Sequence, residues 1–431
     1  MAAADQPANR STLRTRISRF WRLLGPGLIT GASDDDPSGI GTYSQAGAQL
    51  GFGIGWTMLL TYPLMVGIQE ISARLGRTTG RGIAGNLCRH YPPWLLQVIV
   101  ALLFSANTFN IGADLGAMGD AARLVLGGPA ILYVAAFGAF CAIGVFMQYA
   151  RYLALLKWMT LSLFAYVLVL FTTTVEWSDA WRGIAVPTVA WTSDYFTTLV
   201  AIFGTTISPY LFFWQASQEA EDQRINRGEK PLVKAPAQAR QAFERIRLDT
   251  RVGMAFANLV ALAIMIATAA TLHQQGVTDI QTSAQAPEAL RPIAGEFAAV
   301  IFALGIVGTG LLAVPVLAGS AAYAVGEARR WTVGLARSAQ SAGAFYAVIV
   351  IATMAGTLLN FTPLNPIKAL YWSAVINGIV AVPVMIVMMS MTARVKVMGK
   401  FIITGALRWL GWATTIVMGI CVVAMGLTWV F

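Results

Sequence analysis

Apolar residues run along this chain in blocks of about twenty, separated by short polar or basic stretches, and a block of that length coiled into helix spans the hydrocarbon of a bilayer. Read in order, the blocks predict eleven membrane-spanning helices, at roughly 22–50, 52–74, 95–119, 128–149, 153–175, 195–219, 252–273, 293–325, 342–362, 367–391 and 404–430. Two of them, the first and the sixth, are interrupted at the centre by glycine, hydroxyl residues and a proline, Pro37 and Pro209. Proline lacks an N–H and disfavours helix at the residue before it, so both spans are expected to be broken helices. The two breaks lie five spans apart. Two halves with an odd number of spans insert in opposite orientation, which predicts an inverted 5+5 repeat over residues 22–175 and 195–391, with an extra helix at 404–430.

The placement of charge sets the orientation. Of the 30 Lys and Arg, 26 fall in segments that are cytoplasmic if the N-terminus is inside, leaving Arg123, Arg182, Arg291 and Lys368 outside. So lopsided a split predicts a cytoplasmic N-terminus. It also explains the net charge of +10 as topology rather than as a nucleic-acid footprint. With 57% apolar and 12% charged residues the chain has about half the charge of a soluble protein and reads as an all-α polytopic membrane protein. Residues 1–21 are expected to form a basic cytoplasmic arm, not a removable signal peptide, and 22–431 a single integral domain. Cys88, Cys141 and Cys421 have neither disulfide nor zinc spacing. The loop Glu219–Arg251 reads as a cytoplasmic linker with a helical piece near 235–247. The loops 176–194 and 274–291 read as external, with Trp177, Trp181 and Trp191 as interface anchors.

The chemistry concentrates at the breaks. Asp34, Asp35 and Asp36 stand at the first, and Asp36 falls near mid-span. A carboxylate at that depth is costly and faces a protein-lined cavity where a cation or proton meets it. Free carbonyls and N–H groups at a break are tolerated only where they line such a cavity. A plain helix cap, Asp36 with Pro37 at the first helical position, would explain one acid but not three. Asp34 and Asp35 either add negative potential at a vestibule or face water. In span three, Asn107 and Asn110 lie near the face of Asp114, and they are expected, with Asn377 of span ten, to be helix-packing hydrogen bonders. Glu70 reads as an interhelical partner, and His90 and His273 as loop or interface residues.

Several motifs together carry a resemblance: Gly25-Pro-Gly, Asp36-Pro-Ser-Gly39, Ala73-Arg-Leu-Gly-Arg-Thr-Thr-Gly80, Ala113-Asp-Leu115 and the break Thr205–Tyr210. Over nearly its whole length the chain resembles the Nramp divalent-metal transporters. The resemblance implies a LeuT-like fold, alternating access, and a metal held between spans one and six, with Asp36, Gly39, Thr205 and Ser208 as the metal positions. Asp34, Asp35, Asp114, Tyr210 and Asn377 are secondary candidates. Family members for manganese and iron carry Asp-Pro-Gly-Asn and Met-Pro-His. Here the asparagine is Gly39, the methionine Ser208, the histidine Tyr210, and the acid three residues after Asp114 is Ala117.

Those departures point to the Nramp-related magnesium transporters. Thioethers favour softer metals and oxygen donors harder ones. Small Gly39 and Ser208 are expected to widen the cavity for a partly hydrated Mg²⁺. Tyrosine does not titrate near neutrality, so proton coupling is not expected. The alternative is a proton-coupled Mn²⁺ or Fe²⁺ importer. An amino-acid transporter on the same fold is disfavoured, since three aspartates repel an anion. A membrane enzyme lacks support, with two histidines, no metal-hydrolase spacing and no nucleophile elbow. No cofactor is implied. The expected partners are the divalent metal cargo and the lipid bilayer of the inner (plasma) membrane.

Overall fold

The computed structural model describes residues 30–31, 33–145, 164–172, 175–226, 228–282 and 284–430. The basic arm, Gly25-Pro-Gly and most of the fifth predicted span, with Arg151 and Lys157, lie outside the described residues. Among the described residues there are helices, turns and loops but no strand.

Helical residues 30–31 and 33–34 lead to a break at Asp35 and Asp36, after which α1 runs Pro37–Leu50. A bend of 111° then turns the chain into α2, Trp56–Thr79. Short α3, Ile83–His90, precedes α4, Pro93–Leu126, and α5, Ala130–Gly144. Next come α6, Phe164–Thr172, and α7, Trp177–Ala185. The sixth predicted span is α8, Ser193–Thr206, and α9, Pro209–Ile225, broken between them. The remaining long helices are α10, Ala239–Thr271, α11, Ala298–Ala328, α12, Gly343–Leu359, α13, Pro366–Thr392, and α14, Gly405–Val430. Among the described residues six helical stretches are long and apolar enough to cross a membrane: α4, α8 with α9, α10, α11, α13 and α14. The bent pair α1 and α2 passes the same test together, and α5 and α12 are shorter apolar helices.

Prolines stand where the chain begins helix again. Pro37, Pro93, Pro209 and Pro366 each occupy the first turn, where the missing N–H would have had no intrahelical partner. Several boundaries differ from the sequence reading, and α9 runs on to Ile225, so the linker read as starting at Glu219 begins only after the helix. The second span starts at Trp56 because 51–54 form a 3₁₀ turn, and it continues to Thr79. The third span is longer at both ends. The helical piece near 235–247 is not separate: it is continuous with the seventh span in α10, whose polar first turns carry Arg245 to a 2.5 Å ion pair with buried Glu219 of α9. The loop before α10 is also pinned, since buried Arg77 donates to the Lys230 carbonyl and pairs with Glu229 at 3.2 Å. Trp177, Trp181 and Trp191 are exposed.

Broken helix one is enclosed. α1 packs on α10, α13, α8 and α4, while α4 lies against α11, α12 and α13, and α9 against α2. α14 sits outside, and exposed Trp409, Ile416, Ile420, Val423 and Leu427 recur on one face as a lipid-facing stripe. Lipid offers helices no hydrophobic gain from association, so close packing through small residues must hold them together. The α8–α13 crossing shows this most sharply. A Cβ on Gly204 would fall 2.0 Å from the Ala374 carbonyl oxygen and 2.4 Å from the Gly378 nitrogen, and one on Gly378 would fall 2.7 Å from the Val200 carbonyl oxygen. Gly204→Ala should therefore push α8 off α13 and cost about 1–3 kcal/mol, the usual range for overpacking. Thermal unfolding of the purified protein in detergent measures it, and an unchanged melting temperature would refute this backbone contact.

Candidate metal centre

Both breaks are built alike. Asp36 and Ser208 are extended, with ψ of 171° and 133°, and each is followed by proline at the start of a new helix. The residue before a proline is biased to such a conformation. Two half-helix N-termini and the carbonyl ends of the preceding halves thereby come to the middle of the protein. Gly39 marks where the breaks meet, since a Cβ there would lie 3.3 Å from Thr205 Oγ1 and 3.2 Å from the Asp34 carbonyl oxygen.

Asp36 divides its carboxylate between two tasks. Oδ1 accepts from the Gly39 N–H at 2.7 Å and from Ser38 Oγ at 2.7 Å, which is an N-cap of α1. The capping role weighed against a metal role is thus present, and it uses one oxygen. Oδ2 accepts from Asn110 Nδ2 at 3.1 Å, with the Tyr210 hydroxyl at 3.4 Å. Tyr210 donates its proton to the Ser33 carbonyl at 2.8 Å and so ties α9 to the first half of broken helix one. Asn110 also donates to Asp114 Oδ2 at 3.3 Å, and Asn377 Nδ2 donates to Asn110 Oδ1 at 3.3 Å.

Asp36, Asp114, Asn110, Asn377 and Tyr210 therefore form one hydrogen-bonded set drawn from α1, α4, α9 and α13. Asn110 reads from sequence as packing glue. It holds the site carboxylate instead, because one turn of α4 separates it from Asp114 and the same face meets the break. Its place four residues before an intramembrane aspartate is the available signal.

Thr205 and Ser208 are buried at the second break. Ser208 Oγ donates to the Gly204 and Thr205 carbonyls at 2.7 and 2.8 Å, which satisfies the end of α8 and leaves its lone pairs free to meet a cation. Gly39 does not open the cavity as expected. The space a side chain would occupy is already filled by Thr205 and the Tyr43 ring, 3.3 Å from the would-be Cβ.

Asp34 and Asp35 do not face water. Each is 1% exposed, and all four of their carboxylate oxygens lack a hydrogen-bond partner, as does Asp114 Oδ1. Among the described residues no Lys, Arg or His forms an ion pair with Asp34, Asp35, Asp36 or Asp114. Nor do three or more His, Cys, Asp or Glu side chains converge in metal-ligand spacing among those residues. A metal there would meet one or two carboxylates and otherwise neutral oxygens.

Away from the centre, Glu70 pairs with Arg74 of its own helix at 2.5 Å and with Arg247 of α10 at 3.7 Å. His273 Nδ1 lies 2.7 Å from the Ala48 carbonyl oxygen, beyond the inner site. A cavity of about 660 Å³ is lined among others by Gly41, Gln45, Asp194, Asp279 and Tyr371. Gly41 and Gln45 follow Asp36 on α1, and a rise of about 1.5 Å per residue puts Gly41 about 7 Å beyond it.

The comparisons with known proteins agree with this geometry. The family described as "Natural resistance-associated macrophage protein-like", Nramp, matches residues 27–428. The divalent metal cation transporter MntH of Klebsiella pneumoniae is 26% identical over 422 residues, covering 95% of this chain and 94% of its own. MntH of Pectobacterium carotovorum is 29% identical over 312 residues, 70% and 71% of the two chains. The crystal structure of the Eremococcus coleocola manganese transporter superposes with a TM-score of 0.71 at 15% identity, covering 97% of this chain and 88% of that one. The architecture is the LeuT-like fold. The chain belongs to the Nramp family, and is a membrane transporter of divalent metal cations rather than an enzyme, with the metal as cargo.

Proposed function

We propose that this transporter carries a hard divalent cation into the cytoplasm by alternating access, and that Asp36 is the charged ligand that meets it. The supporting observation is the set of buried carboxylates without a cationic partner, held where two broken helices meet. Charges removed from water without compensation are expensive, so the site attracts a cation. Asp36 Oδ1 is engaged in capping, which leaves Oδ2, the Ser208 hydroxyl and the Thr205 oxygens as donors. Partial retention of water would complete the coordination shell, as hard ions with few protein ligands require.

Manganese is the ion that fits the relatives best, since the solved neighbour is a manganese transporter and oxygen donors suit Mn²⁺. Magnesium is the second reading, favoured by Ser208 standing where manganese and iron transporters place a thioether. Proton coupling has one supporting group, Asp114, which shares Asn110 with Asp36. The tyrosine at 210 gives its proton to a carbonyl and stays outside any relay near neutral pH.

Asp36→Asn keeps a capping oxygen for Gly39 while removing the charge, and Asn caps about as well as Asp. Saturable Mn²⁺ and Mg²⁺ uptake into proteoliposomes should vanish while the melting temperature stays within a few degrees. Uptake that survives would remove Asp36 from the site. Ser208→Met restores sulfur to the break, and Cd²⁺ should then compete for uptake about tenfold better relative to Mg²⁺. A competition assay that finds the ratio unmoved would place selectivity elsewhere.

A further inference from the structure

On the cytoplasmic side, far from the metal centre, five arginines line one cleft of about 570 Å³: Arg81, Arg89, Arg224, Arg330 and Arg337. The turn between α2 and α3, the end of α3, the end of α9 and the loop after α11 contribute them. Basic residues at cytoplasmic helix ends are expected from topology alone. These five are set apart by converging on one cleft whose acid is engaged elsewhere.

On this face Arg74, Arg77, Arg240, Arg245 and Arg247 find carboxylates, whereas Arg251, Arg329, Arg394 and Arg408 stand singly without one among the described residues. Among the described residues none of the five cleft arginines has a carboxylate within ion-pair distance. The acid lining the cleft, Glu327, spends both oxygens on the Gly82 and Gly85 N–H groups at 2.7 and 2.8 Å. Arg330 is also the one non-glycine residue with positive φ among the described residues, at 59°, and its Nε lies 3.5 Å from Cys88 Sγ. Backbone in that region costs energy and marks sites where the surroundings impose it.

Local electrostatics carry the same signature. Burial and then the neighbouring Arg89 hold Arg81 below the usual arginine range, and burial followed by Arg89, Arg81 and Arg394 lowers His90. Positive charge here is crowded enough to oppose itself. Guanidinium forks match phosphate oxygens in pairs, and Trp331 supplies an apolar wall beside them.

We propose that this cleft binds a phosphate-bearing anion of at least two negative charges. The ligand bridges α9 and the loop after α11 to the α2–α3 turn, where Glu327 already latches α11 onto α3. Occupancy therefore favours the conformation described here, as any ligand does for the conformation that holds its site together. The phosphate can belong to a lipid headgroup or to a soluble polyphosphate, and the two are separable by experiment.

The full-length transporter is placed in phosphatidylcholine nanodiscs. Inorganic pyrophosphate is titrated by calorimetry in one arm. In the other, discs with about one tenth cardiolipin are compared by thermal unfolding. Arg89→Gln with Arg337→Gln removes two charges that make no side-chain hydrogen bond recorded among the described residues. Arg408→Gln, outside the cleft, is the control. Binding of pyrophosphate, or stabilisation by cardiolipin, that weakens at least about tenfold in the double variant but not in the control is the expected result. A response to cardiolipin alone identifies a lipid headgroup, and a response to pyrophosphate alone a soluble anion. No response in either arm, or equal losses in the double variant and Arg408→Gln, overturns the site.

Discussion

Backbone polar groups at membrane depth must find partners inside the protein, and the two broken helices are where this chain meets that constraint without regular helix. At the first break the Asp36 side chain caps α1 through Gly39, and at the second the Ser208 hydroxyl takes the last carbonyls of α8. Each solution leaves something over. Asp36 retains an oxygen that only Asn110 and, at longer range, Tyr210 approach, and Ser208 retains lone pairs. The residue types that stabilise the breaks are thus the ones that can hold a hard ion between them.

Everything around the centre serves this arrangement. α4 brings Asn110 and Asp114 to the break, α13 brings Asn377 to Asn110, and α9 anchors Tyr210 on the Ser33 carbonyl. Such close approach leaves α8 and α13 touching backbone to backbone at Gly204 and Gly378. On the cytoplasmic side the chain is fastened: Glu327 holds α3, Glu221 holds the 335–336 backbone, and Glu219 holds Arg245. A polar cavity lies beside α1 at Gly41, Gln45 and Gln49.

Family membership and ion preference rest on different residues. The fold is shared with a manganese transporter at 15% identity, and divalent-metal transport in general rests on the family match over residues 27–428. The proposed ion preference rests instead on the residue types at Gly39, Ser208 and Tyr210. Gly39 illustrates how a departure can mislead. From the sequence it reads as an enlarged cavity, yet Tyr43 and Thr205 already occupy the volume. Side chains from other turns fill space that a local motif leaves empty.

Much of this protein is legible in local chemistry alone. Hydrophobic block length sets where helices cross, proline sets where they break, and the placement of Lys and Arg predicts an orientation, because each acts within a few residues or through the bilayer itself. Asp36 as the central acid follows from the same reasoning. Tertiary contact decides the rest. No local pattern shows that Asn110 binds Asp36, 74 residues away, or that Asp34 and Asp35 are buried without partners rather than hydrated. Nor does any pattern show that five arginines from separate segments share one cleft. Those facts depend on which helix faces meet, and that is fixed by packing among distant segments rather than by the residues along any one of them.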